Sequence, residues 1–523
     1  MTNNLKNCPV CQVPSKLKCT ACKNVVYCSK EHQKTHWKKH KLECKCFEIA
    51  TDAVLGRHLK ATRDIKEGEV ILSDKALVCG PKVASVPLCL GCNKQLQVKP
   101  HEKNFYKCKK CTWPLCGEFC ELNPNHKAEC ELMSGKKFVC KIDVNKIDET
   151  KKESAYCVIL PLRCLLLRER NPEGYKKLLE LEDHLEERIE TPLYHVLKAN
   201  LLTFVKTILG YSDLDEKEVL KIAAILDTNS FEVRQNNVKV RALFPQASMF
   251  SHDCTSNARH YFDDDMNITF IAKTKILKGD VISISYTQPL KSTIMRREHL
   301  KQAKCFDCCC KRCSDPTEFN TFIGSPNCIK CNAGKIVSSN PLDNSAPWNC
   351  NSCGHSITAK LINYGNRSIQ EEIENLDKFS PKALEEFIIK FENMLHPTNT
   401  HVLEVKYALT QLYGNIEGFY NNDLNNAAVQ RKYDLCNELI EIANQFDPGL
   451  SLFRGNLLIE LQEVMVIKAR RDFESGLDTK DNTKDKLDHA MEILKEAMKI
   501  LIFEPDMKTI LEQKTRLLTE EIL

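Results

Sequence analysis

The residues best suited to chemistry in this 523-residue chain are its 29 cysteines, many of which stand in short, regular spacings. Cys-x-x-Cys pairs recur along the chain, and histidines follow some of them at spacings typical of metal ligands. Disulfides are the alternative use of such pairs. They are disfavoured in a reducing compartment, and the polar N-terminus Met1–Asn4 carries no secretory signal. The pattern therefore predicts zinc, bound tetrahedrally by thiolate and imidazole.

The first cysteine block, residues 8–44, offers eight candidate ligands, enough for two sites. Ser29 is a good N-cap for a short helix, and on that helix His32, His36 and His40 are spaced four apart and share one face. We expect His36 to be a surface or packing residue rather than a ligand. We expect the two sites to be interleaved, so that the first and third pairs of ligands along the chain share one site and the second and fourth pairs share the other. The predicted sets are Cys8, Cys11, Cys28 and His32, and Cys19, Cys22, His40 and Cys44.

The later cysteines can be grouped into four-ligand sets in the same way. A second block, residues 89–130, repeats the interleaved order. Cys254 has no near partner, but it supplies the fourth thiolate that a downstream Cys-x-Cys-x-x-Cys segment lacks. The last group has the spacing of a zinc ribbon. The predicted sites are Cys89, Cys92, Cys116 and Cys120; Cys108, Cys111, His126 and Cys130; Cys254, Cys308, Cys310 and Cys313; and Cys328, Cys331, Cys350 and Cys353. The remaining cysteines are expected to be free or buried thiols: Cys46, Cys79, Cys140, Cys157, Cys164, Cys305, Cys309 and Cys436.

The segment Ala247–Tyr286 is the part of the chain that must position the remaining chemistry. A tight Ser-His-Asp-Cys stretch is followed by an alternating apolar run, a turn at Lys278–Asp280 and a second apolar run. We therefore predict two strands, the second of which ends at Tyr286. Further upstream, Gly56 would let the backbone turn sharply or approach a ligand closely, ahead of a strand at Val70–Leu72.

Two long segments have the apolar periodicity of helices. Residues 154–240 are predicted to be mostly helical, and so is the chain from about residue 360 to its end. Pro397 and Pro448–Gly449 punctuate the second segment. Successive helical hairpins there suggest a TPR-like array, although no clean repeat is visible.

These motifs, in this order, resemble the SET and MYND domain-containing (SMYD) family. Residues 8–44 resemble a MYND zinc finger, with His32 where the family usually has cysteine. Residues 54–72 resemble the opening of a SET domain. The block at 89–130 looks like a second MYND-like finger inserted in that domain, and two such fingers in one chain resemble the SmydA branch.

The resemblance implies a multidomain α+β fold: a split SET β-fold with zinc-finger insertions and a C-terminal all-α, TPR-like helical domain. The implied domains are the N-terminal MYND finger 1–46, the N-terminal part of SET 47–88, the second MYND-like finger 89–130, a helical SET insertion 131–240, the SET core 241–290, a post-SET zinc segment 291–320, a zinc ribbon 321–358 and the helical domain 359–523.

The family transfers a methyl group from S-adenosylmethionine to a lysine side chain. A lysine must be neutral to react, and desolvation in an apolar channel lowers its pKa. The protein's main task is then to hold the reacting atoms in line. The resemblance implies that Tyr286 and Phe231 are catalytic, Tyr286 orienting the amine and Phe231 walling the channel. The implied cofactor contacts are Gly56, Arg57, Asn229, Ser251, His252, Tyr286 and Phe306, the last covering the adenine.

Besides His32 in the finger, four positions of the SET and post-SET segments depart from the family's pattern. His58 replaces a glycine of the cofactor loop, and Ser251 and Asp253 alter the motif around His252. Lys304 stands where the family often has a channel tyrosine, and a cation pointing into the channel would repel a substrate ammonium. The alternative interpretation is a catalytically weak or inactive SET scaffold that acts as a protein-interaction or transcriptional regulator through its MYND fingers.

The net charge, the length of the apolar runs and the motif content argue against several other classes of protein. The net charge of +5 creates no dominant field for nucleic acid. The longest apolar run, Val158–Leu167, is too short to span a bilayer. No Gly-x-Gly-x-x-Gly loop follows a strand, which argues against a Rossmann-type methyltransferase. We expect a soluble, monomeric protein of the cytoplasm or nucleus. Its substrate is expected to be a lysine-bearing protein or peptide, histone or non-histone, and its fingers are expected to bind protein partners.

Overall fold

The computed structural model describes residues 6–20, 25–96, 105–140, 142, 152–211, 214–235 and 238–522. The chain divides into two compact units. The first unit contains Met1–Ile71, Ser251–Tyr261 and Phe270–Leu523, and the second contains Leu72–Phe250 and Phe262–Thr269. Each unit is therefore assembled from segments that are distant in sequence. The helices of the described residues are all too short or too polar to cross a membrane.

Short strands and longer helices confirm the multidomain α+β class. The strands are β1 (Leu17–Lys18), β2 (Val26–Tyr27), β3 (Phe47–Asp52), β4 (Gly56–Ala61), β5 (Val70–Asp74), β6 (Val78–Gly80), β7 (Tyr106–Lys107), β8 (Pro114–Leu115), β9 (Phe231–Gln235), β10 (Val238–Leu243), β11 (Ser251–His252), β12 (Ala258–Phe262), β13 (Ile268–Ala272), β14 (Val281–Ile284), β15 (Ile336–Ser338), β16 (Trp348–Cys350) and β17 (Ser356–Ile357). The helices are α1 (Lys30–Cys44), α2 (Glu118–Glu121), α3 (Pro124–Gly135), α4 (Ile159–Arg170), α5 (Pro172–Leu179), α6 (Leu185–Arg188), α7 (Pro192–Leu197), α8 (Glu216–Asn229), α9 (Thr293–Lys304), α10 (Lys311–Ser314), α11 (Ala359–Asn375), α12 (Pro381–Phe391), α13 (Thr400–Leu412), α14 (Asn426–Phe446), α15 (Leu452–Glu474), α16 (Lys480–Leu501) and α17 (Lys508–Ile522). A π-helix spans Lys198–Ile208, and short 3-10 helices span Ser154–Val158, Ala247–Met249 and Pro505–Met507.

The central sheet of the first unit has the strand order β11-β14-β4-β3. Strand β11 runs parallel to β14 and pairs His252 with Ile284, whereas β14 and β4 are antiparallel, as are β4 and β3. Leu59 of β4 and Ile282 of β14 are buried in the core. The parallel pairing places His252 beside the end of the strand that leads to Tyr286.

The segment between Cys254 and Tyr286 forms three strands, not the two that the sequence predicts. The additional strand is β12, which pairs with β13. Arg259 interrupts the apolar alternation of this strand, so its periodicity is hidden. The Arg259 side chain donates to Glu504 at 2.8 Å and to the Ile500 carbonyl at 2.5 Å, both in the C-terminal helical region. These partners, which are distant in the sequence, satisfy the arginine within the strand.

In the second unit, the predicted helical segment 131–240 ends early. Helix α8 stops at Asn229, and β9 and β10 follow in an antiparallel sheet of order β6-β10-β9. The helical prediction is therefore wrong for its last residues. Val233, Val240 and Ala242 are completely or almost completely buried at alternate positions, which is the period of a strand and not of a helix.

A single buried arginine joins the finger segment of the second unit to its helices. Arg163 of α4 donates through Nε and Nη2 to the two oxygens of Glu129, both at 2.7 Å. It also donates to the carbonyls of Leu90 and Cys79, at 2.7 and 2.5 Å. Glu129, itself fully buried, lies 3.6 Å from the Nδ1 atom of His126. The guanidinium thus fixes the turn at Leu90, helix α3 and strand β6 together.

In the first unit, helices α14 and α15 are connected by a turn that contacts the sheet segment after β13. Gly449 has φ of +77°, and a Cβ atom at this position would lie 2.1 Å from the carbonyl oxygen of Lys273. The next residue, Leu450, donates its N–H to the same carbonyl at 2.9 Å. The Lys273 ammonium in turn binds Asp447, at the end of α14. This turn holds the helical region against the segment that follows β13 within the first unit.

We predict that Gly449→Ala lowers the free energy of unfolding by about 3 kcal/mol, because it adds both backbone strain and a clash with a carbonyl. The matched control is Gly476→Ala. Gly476 has φ of +73° but no atom within 4 Å of its Cβ position, so we expect a loss of only about 1 kcal/mol. Chemical denaturation followed by far-UV circular dichroism measures both. Equal losses would show that the close approach to Lys273 does not exist.

We predict that Arg163→Met lowers the free energy of unfolding by about 3–5 kcal/mol, because it leaves the buried Glu129 carboxylate without its partner. The double variant Arg163→Met/Glu129→Gln should lose less than the single variant, since no charge is then left uncompensated. Denaturation of the four proteins of this cycle gives the coupling energy. Additive losses would contradict the buried ion pair.

Candidate functional site

The structure brings together the ligand atoms of five predicted four-residue sets. Within each set these atoms lie within 4.8 Å of one another. A tetrahedron with metal–sulfur bonds of about 2.3 Å has edges of about 3.8 Å. Several of the Sγ–Sγ distances match that edge: 3.9 Å from Cys254 to Cys308, and 3.7 Å from Cys328 to Cys353. The five sets are Cys8, Cys11, Cys28 and His32; Cys89, Cys92, Cys116 and Cys120; Cys108, Cys111, His126 and Cys130; Cys254, Cys308, Cys310 and Cys313; and Cys328, Cys331, Cys350 and Cys353.

The sixth predicted set includes Cys22, which lies outside the described residues. Of its other members, Cys19 and Cys44 have Sγ atoms 3.8 Å apart, and His40 is buried. His36 instead packs within the finger, where its Nδ1 lies 3.1 Å from the hydroxyl of Tyr27.

The described cysteines are all present as free thiols, without disulfides. The eight cysteines left out of the predicted sets differ in exposure. Cys309 is exposed, Cys79 and Cys305 are half-buried, and the other five are buried: Cys46, Cys140, Cys157, Cys164 and Cys436. The free thiols and the tetrahedral spacing together fit the chemistry of zinc.

The thiolate set around Cys254 has a charged partner that the sequence analysis missed. Arg296 of α9 is fully buried, and its Nε and Nη2 atoms lie 3.2 Å from Cys254 Sγ and 3.4 Å from Cys313 Sγ. Its Nη1 atom donates to Glu318 at 2.6 Å. Donors around a metal site orient its ligands and offset the negative charge of the thiolates. No local sequence signal identifies Arg296, because its partners are distant in sequence.

His252 connects this thiolate set to Tyr286. Burial lowers the pKa of His252 to about 4, so the ring is neutral near pH 7. The backbone N–H of Tyr286 donates to its Nδ1 atom at 3.0 Å. The proton of the neutral ring is therefore on Nε2, which lies 3.2 Å from Cys254 Sγ. One imidazole thus fixes both the zinc ligand and the backbone of the tyrosine.

Aromatic rings surround His252. The ring of Tyr286 lies 5.2 Å from it and that of Phe306 5.9 Å, measured between centroids. Burial raises the pKa of Tyr286, so its hydroxyl is uncharged at neutral pH. The ammonium of Lys304 lies 5.4 Å from the centroid of the Tyr286 ring, within the range of a cation–π contact. Lys304 therefore contacts the predicted catalytic side chain directly.

The predicted cofactor loop is the turn of the β3–β4 hairpin. Gly56 has φ of +62°, and a Cβ atom there would meet nothing within 4 Å, so the glycine serves the backbone conformation. Asp52 caps the turn by accepting from the N–H groups of Val54 and Leu55, at 2.8 and 2.7 Å. His58 is buried, and its Nδ1 donates to the Gly56 carbonyl at 3.1 Å. The departure at His58 is thus accommodated within the hairpin, and the neighbouring Arg57 is half-buried.

Ser251, beside His252 in β11, has a buried hydroxyl with no hydrogen-bond partner among the described residues. A buried hydroxyl without a partner costs free energy, which a polar ligand would recover. The neighbouring Asp253 is half-buried and accepts from the N–H of Thr255 at 2.7 Å, so it braces the loop. The hydroxyl of Ser251 thus fits a ligand with polar groups at this position.

Asn229 and Phe231 belong to the second unit. Asn229 Nδ2 donates to the carbonyls of Glu182 and Ile225, at 2.7 and 2.8 Å. The Phe231 ring lies 5.9 Å from that of Phe244. Their part in a common site with His252 stays a prediction.

Two protein-family models match segments of this chain. Residues 8–44 match the MYND finger, and residues 56–287 match the SET domain. The Drosophila melanogaster protein "SET domain-containing protein SmydA-8, isoform A" is 26% identical over 366 residues, which are 68% of this chain and 75% of that protein. The Arabidopsis thaliana "Histone-lysine N-methyltransferase ASHR1" is 28% identical over 286 residues, 52% of this chain and 56% of that protein.

A solved structure, "Structure of Rubisco LSMT bound to AdoMet", aligns with 93% of this chain and 93% of its own at 13% identity, with a TM-score of 0.26. The family models carry the assignment, because they match the finger and the catalytic fold in the order that the sequence predicts. The chain therefore contains a MYND finger and a SET domain, the two domains after which the SET and MYND domain-containing family is named.

Proposed function

We propose that this protein is an S-adenosylmethionine-dependent protein-lysine N-methyltransferase. The observation that carries the proposal is the arrangement around His252. A neutral imidazole is held between a thiolate set and the backbone of Tyr286, and the residue before it in the chain, Ser251, has a buried hydroxyl without a partner among the described residues. The similarity to a relative named as a histone-lysine N-methyltransferase supports the same reaction.

S-adenosylmethionine, when bound, supplies an electrophilic methyl group on a positively charged sulfur. The residues of the first unit that would hold it are the hairpin turn Gly56–Arg57, Ser251, His252 and Phe306. Ser251 offers a hydroxyl free to bond to a ligand, and Phe306 offers an aromatic face beside His252.

Tyr286 would act on the substrate lysine. The lysine must lose its proton before it can react, and a desolvated site lowers its pKa. The raised pKa of Tyr286 keeps its hydroxyl protonated, so the hydroxyl can orient the amine without adding a charge. The aromatic ring of Tyr286 would exclude water and tolerate the cationic product. Positioning of this kind supplies most of the rate in a direct transfer.

The zinc-type sets have a structural part in this proposal. A zinc ion bound by Cys254, Cys308, Cys310 and Cys313 would fix the loop of His252 to the segment that carries Phe306. The fingers at 8–44 and 89–130 offer surfaces to protein partners. Neither role requires a zinc-bound water, because each set already supplies four protein ligands.

A second candidate function is the inactive scaffold, and one observation favours it. The Lys304 ammonium lies over the ring of Tyr286, where it would repel a substrate ammonium. In this alternative the SET fold only presents its fingers to partners.

We predict that Tyr286→Phe lowers kcat for methylation of a lysine peptide library about 100-fold, because the hydroxyl that orients the amine is lost. Affinity for S-adenosylmethionine should change little. Radiolabelled methyl transfer and calorimetric titration measure the two quantities. A Tyr286→Phe protein that is as active as the parent would remove the catalytic role of this hydroxyl.

We predict that Lys304→Met raises kcat/KM about 10-fold, because a neutral side chain of similar length no longer repels the substrate. The control is Lys301→Met on the same helix, where the ammonium is exposed and binds Asp307 at 2.9 Å; we expect no change. The measurement is methyl transfer to the same library. If the parent and both variants are inactive while binding of S-adenosylmethionine is absent, the scaffold is the better description.

A further inference from the structure

The chain places one of its own lysines against the predicted catalytic side chain. The ammonium nitrogen of Lys304 lies 5.4 Å from the centroid of the Tyr286 ring. Lys304 is half-buried, whereas Lys301, one turn earlier on the same helix, is exposed. In the proposed reaction the methyl acceptor is the amine that Tyr286 orients. A resident amine therefore stands beside the side chain that is predicted to orient the acceptor.

The end of helix α9 explains why Lys304 lies there. Cys305 ends the helix in the left-handed conformation, with φ of +59°, and its N–H donates to the carbonyl of Lys301 at 3.2 Å. The next residue, Phe306, has its ring 5.9 Å from the ring of His252. One short turn thus brings a lysine to Tyr286 and the aromatic face predicted to cover the cofactor to His252.

Buried hydrogen bonds fix helix α9 ahead of this turn. The guanidinium of Arg297 is buried and donates to the carbonyl of Cys308, and at 2.9 Å to the carbonyl of Leu342. A helix held in this way keeps Lys304 near Tyr286 at all times. An amine tethered beside the reacting groups has a far higher effective concentration than the lysine of a free peptide.

We propose that Lys304 is itself a methyl acceptor, which the protein methylates within the same chain. The ammonium first releases a proton to water. The nitrogen lone pair then bonds to the methyl carbon of S-adenosylmethionine, while the carbon–sulfur bond breaks and its electron pair remains on sulfur, giving S-adenosylhomocysteine. Methylation keeps the positive charge of the lysine, so the product can remain over the Tyr286 ring. This inference rests on the proposed methyl transfer and deepens it by naming an acceptor.

Mass spectrometry of the zinc-loaded full chain tests the modification. The protein is incubated with S-adenosylmethionine that carries an isotope-labelled methyl group, and both labelled and pre-existing methyl groups are located. We expect methylation of Lys304 to approach one group per chain and Lys301 to stay unmodified. Lys304→Arg should remove the modification, whereas the matched control Lys301→Arg should retain it.

The same samples, given a lysine peptide library, separate this inference from the proposed function. If the peptides are methylated while Lys304 carries no methyl group, the proposed function stands and the inference is wrong. If neither the peptides nor Lys304 gain a methyl group, both are wrong. Methylation of Lys304 without methylation of any peptide would support both the reaction and this acceptor.

A mixing experiment tests whether transfer occurs within one chain. A Tyr286→Phe chain, which keeps Lys304, is mixed with a Lys304→Arg chain, which keeps Tyr286. We expect at least 10-fold less label on Lys304 in this mixture than in the parent protein, because the tethered geometry is absent. Labelling of Lys304 in the mixture at the rate of the parent would show transfer between chains and overturn the inference.

A chemical probe checks the location of Lys304 without any methyl transfer from the cofactor. Formaldehyde with cyanoborohydride labels accessible lysines, and S-adenosylhomocysteine is added at a concentration that calorimetry shows to be saturating. We expect it to slow the labelling of Lys304 about 5-fold, because the bound molecule shields the amine, and to leave Lys301 unchanged. Equal labelling of Lys304 with and without S-adenosylhomocysteine would place this lysine away from the cofactor and overturn the inference.

Discussion

The parallel pairing of β11 with β14 is the constraint on which the candidate site depends. It brings His252 against the end of the strand that precedes Tyr286. Because the ring is buried and neutral, it can accept from the Tyr286 N–H on one side and face the Cys254 thiolate on the other. A protonated ring would lose the first contact, since both nitrogens would then be donors. The fold, the thiolate set and the tyrosine are therefore linked through one uncharged side chain.

Buried charged residues around the thiolate set of Cys254 explain how four thiolates can lie close together. Arg296 contributes a buried positive charge to Cys254 and Cys313, and Glu318 holds Arg296 in turn. Glu318 also accepts from Arg312, whose guanidinium lies 3.4 Å from the centroid of the Phe446 ring at the end of α14. The helical region is thus connected to the thiolate set within the first unit. In the second unit, Arg163 and Glu129 make a comparable connection around His126.

The spacing of residues along the sequence predicted much of the structure of this protein. The features that it did not predict depend on partners that lie far away in the sequence. Cysteine spacing anticipated the sets that the structure assembles, including Cys254, because four ligands are needed for each ion. It could not anticipate Arg296 or Arg163, since their partners are brought close only by the fold. Strand β12 was missed because Arg259 breaks the apolar alternation, and it is satisfied by the distant Glu504. The position of Lys304 over Tyr286 likewise depends on where α9 ends, which periodicity does not determine.

The most direct test of the account is a calorimetric titration of S-adenosylmethionine into the full chain with its zinc content measured beforehand. The account predicts saturable binding of one molecule per chain. It also predicts that Cys254→Ser abolishes or strongly weakens this binding, because the loop of Ser251 and His252 loses its anchor. Absence of binding to the zinc-loaded parent protein would contradict the proposed site and leave the SET fold as a scaffold.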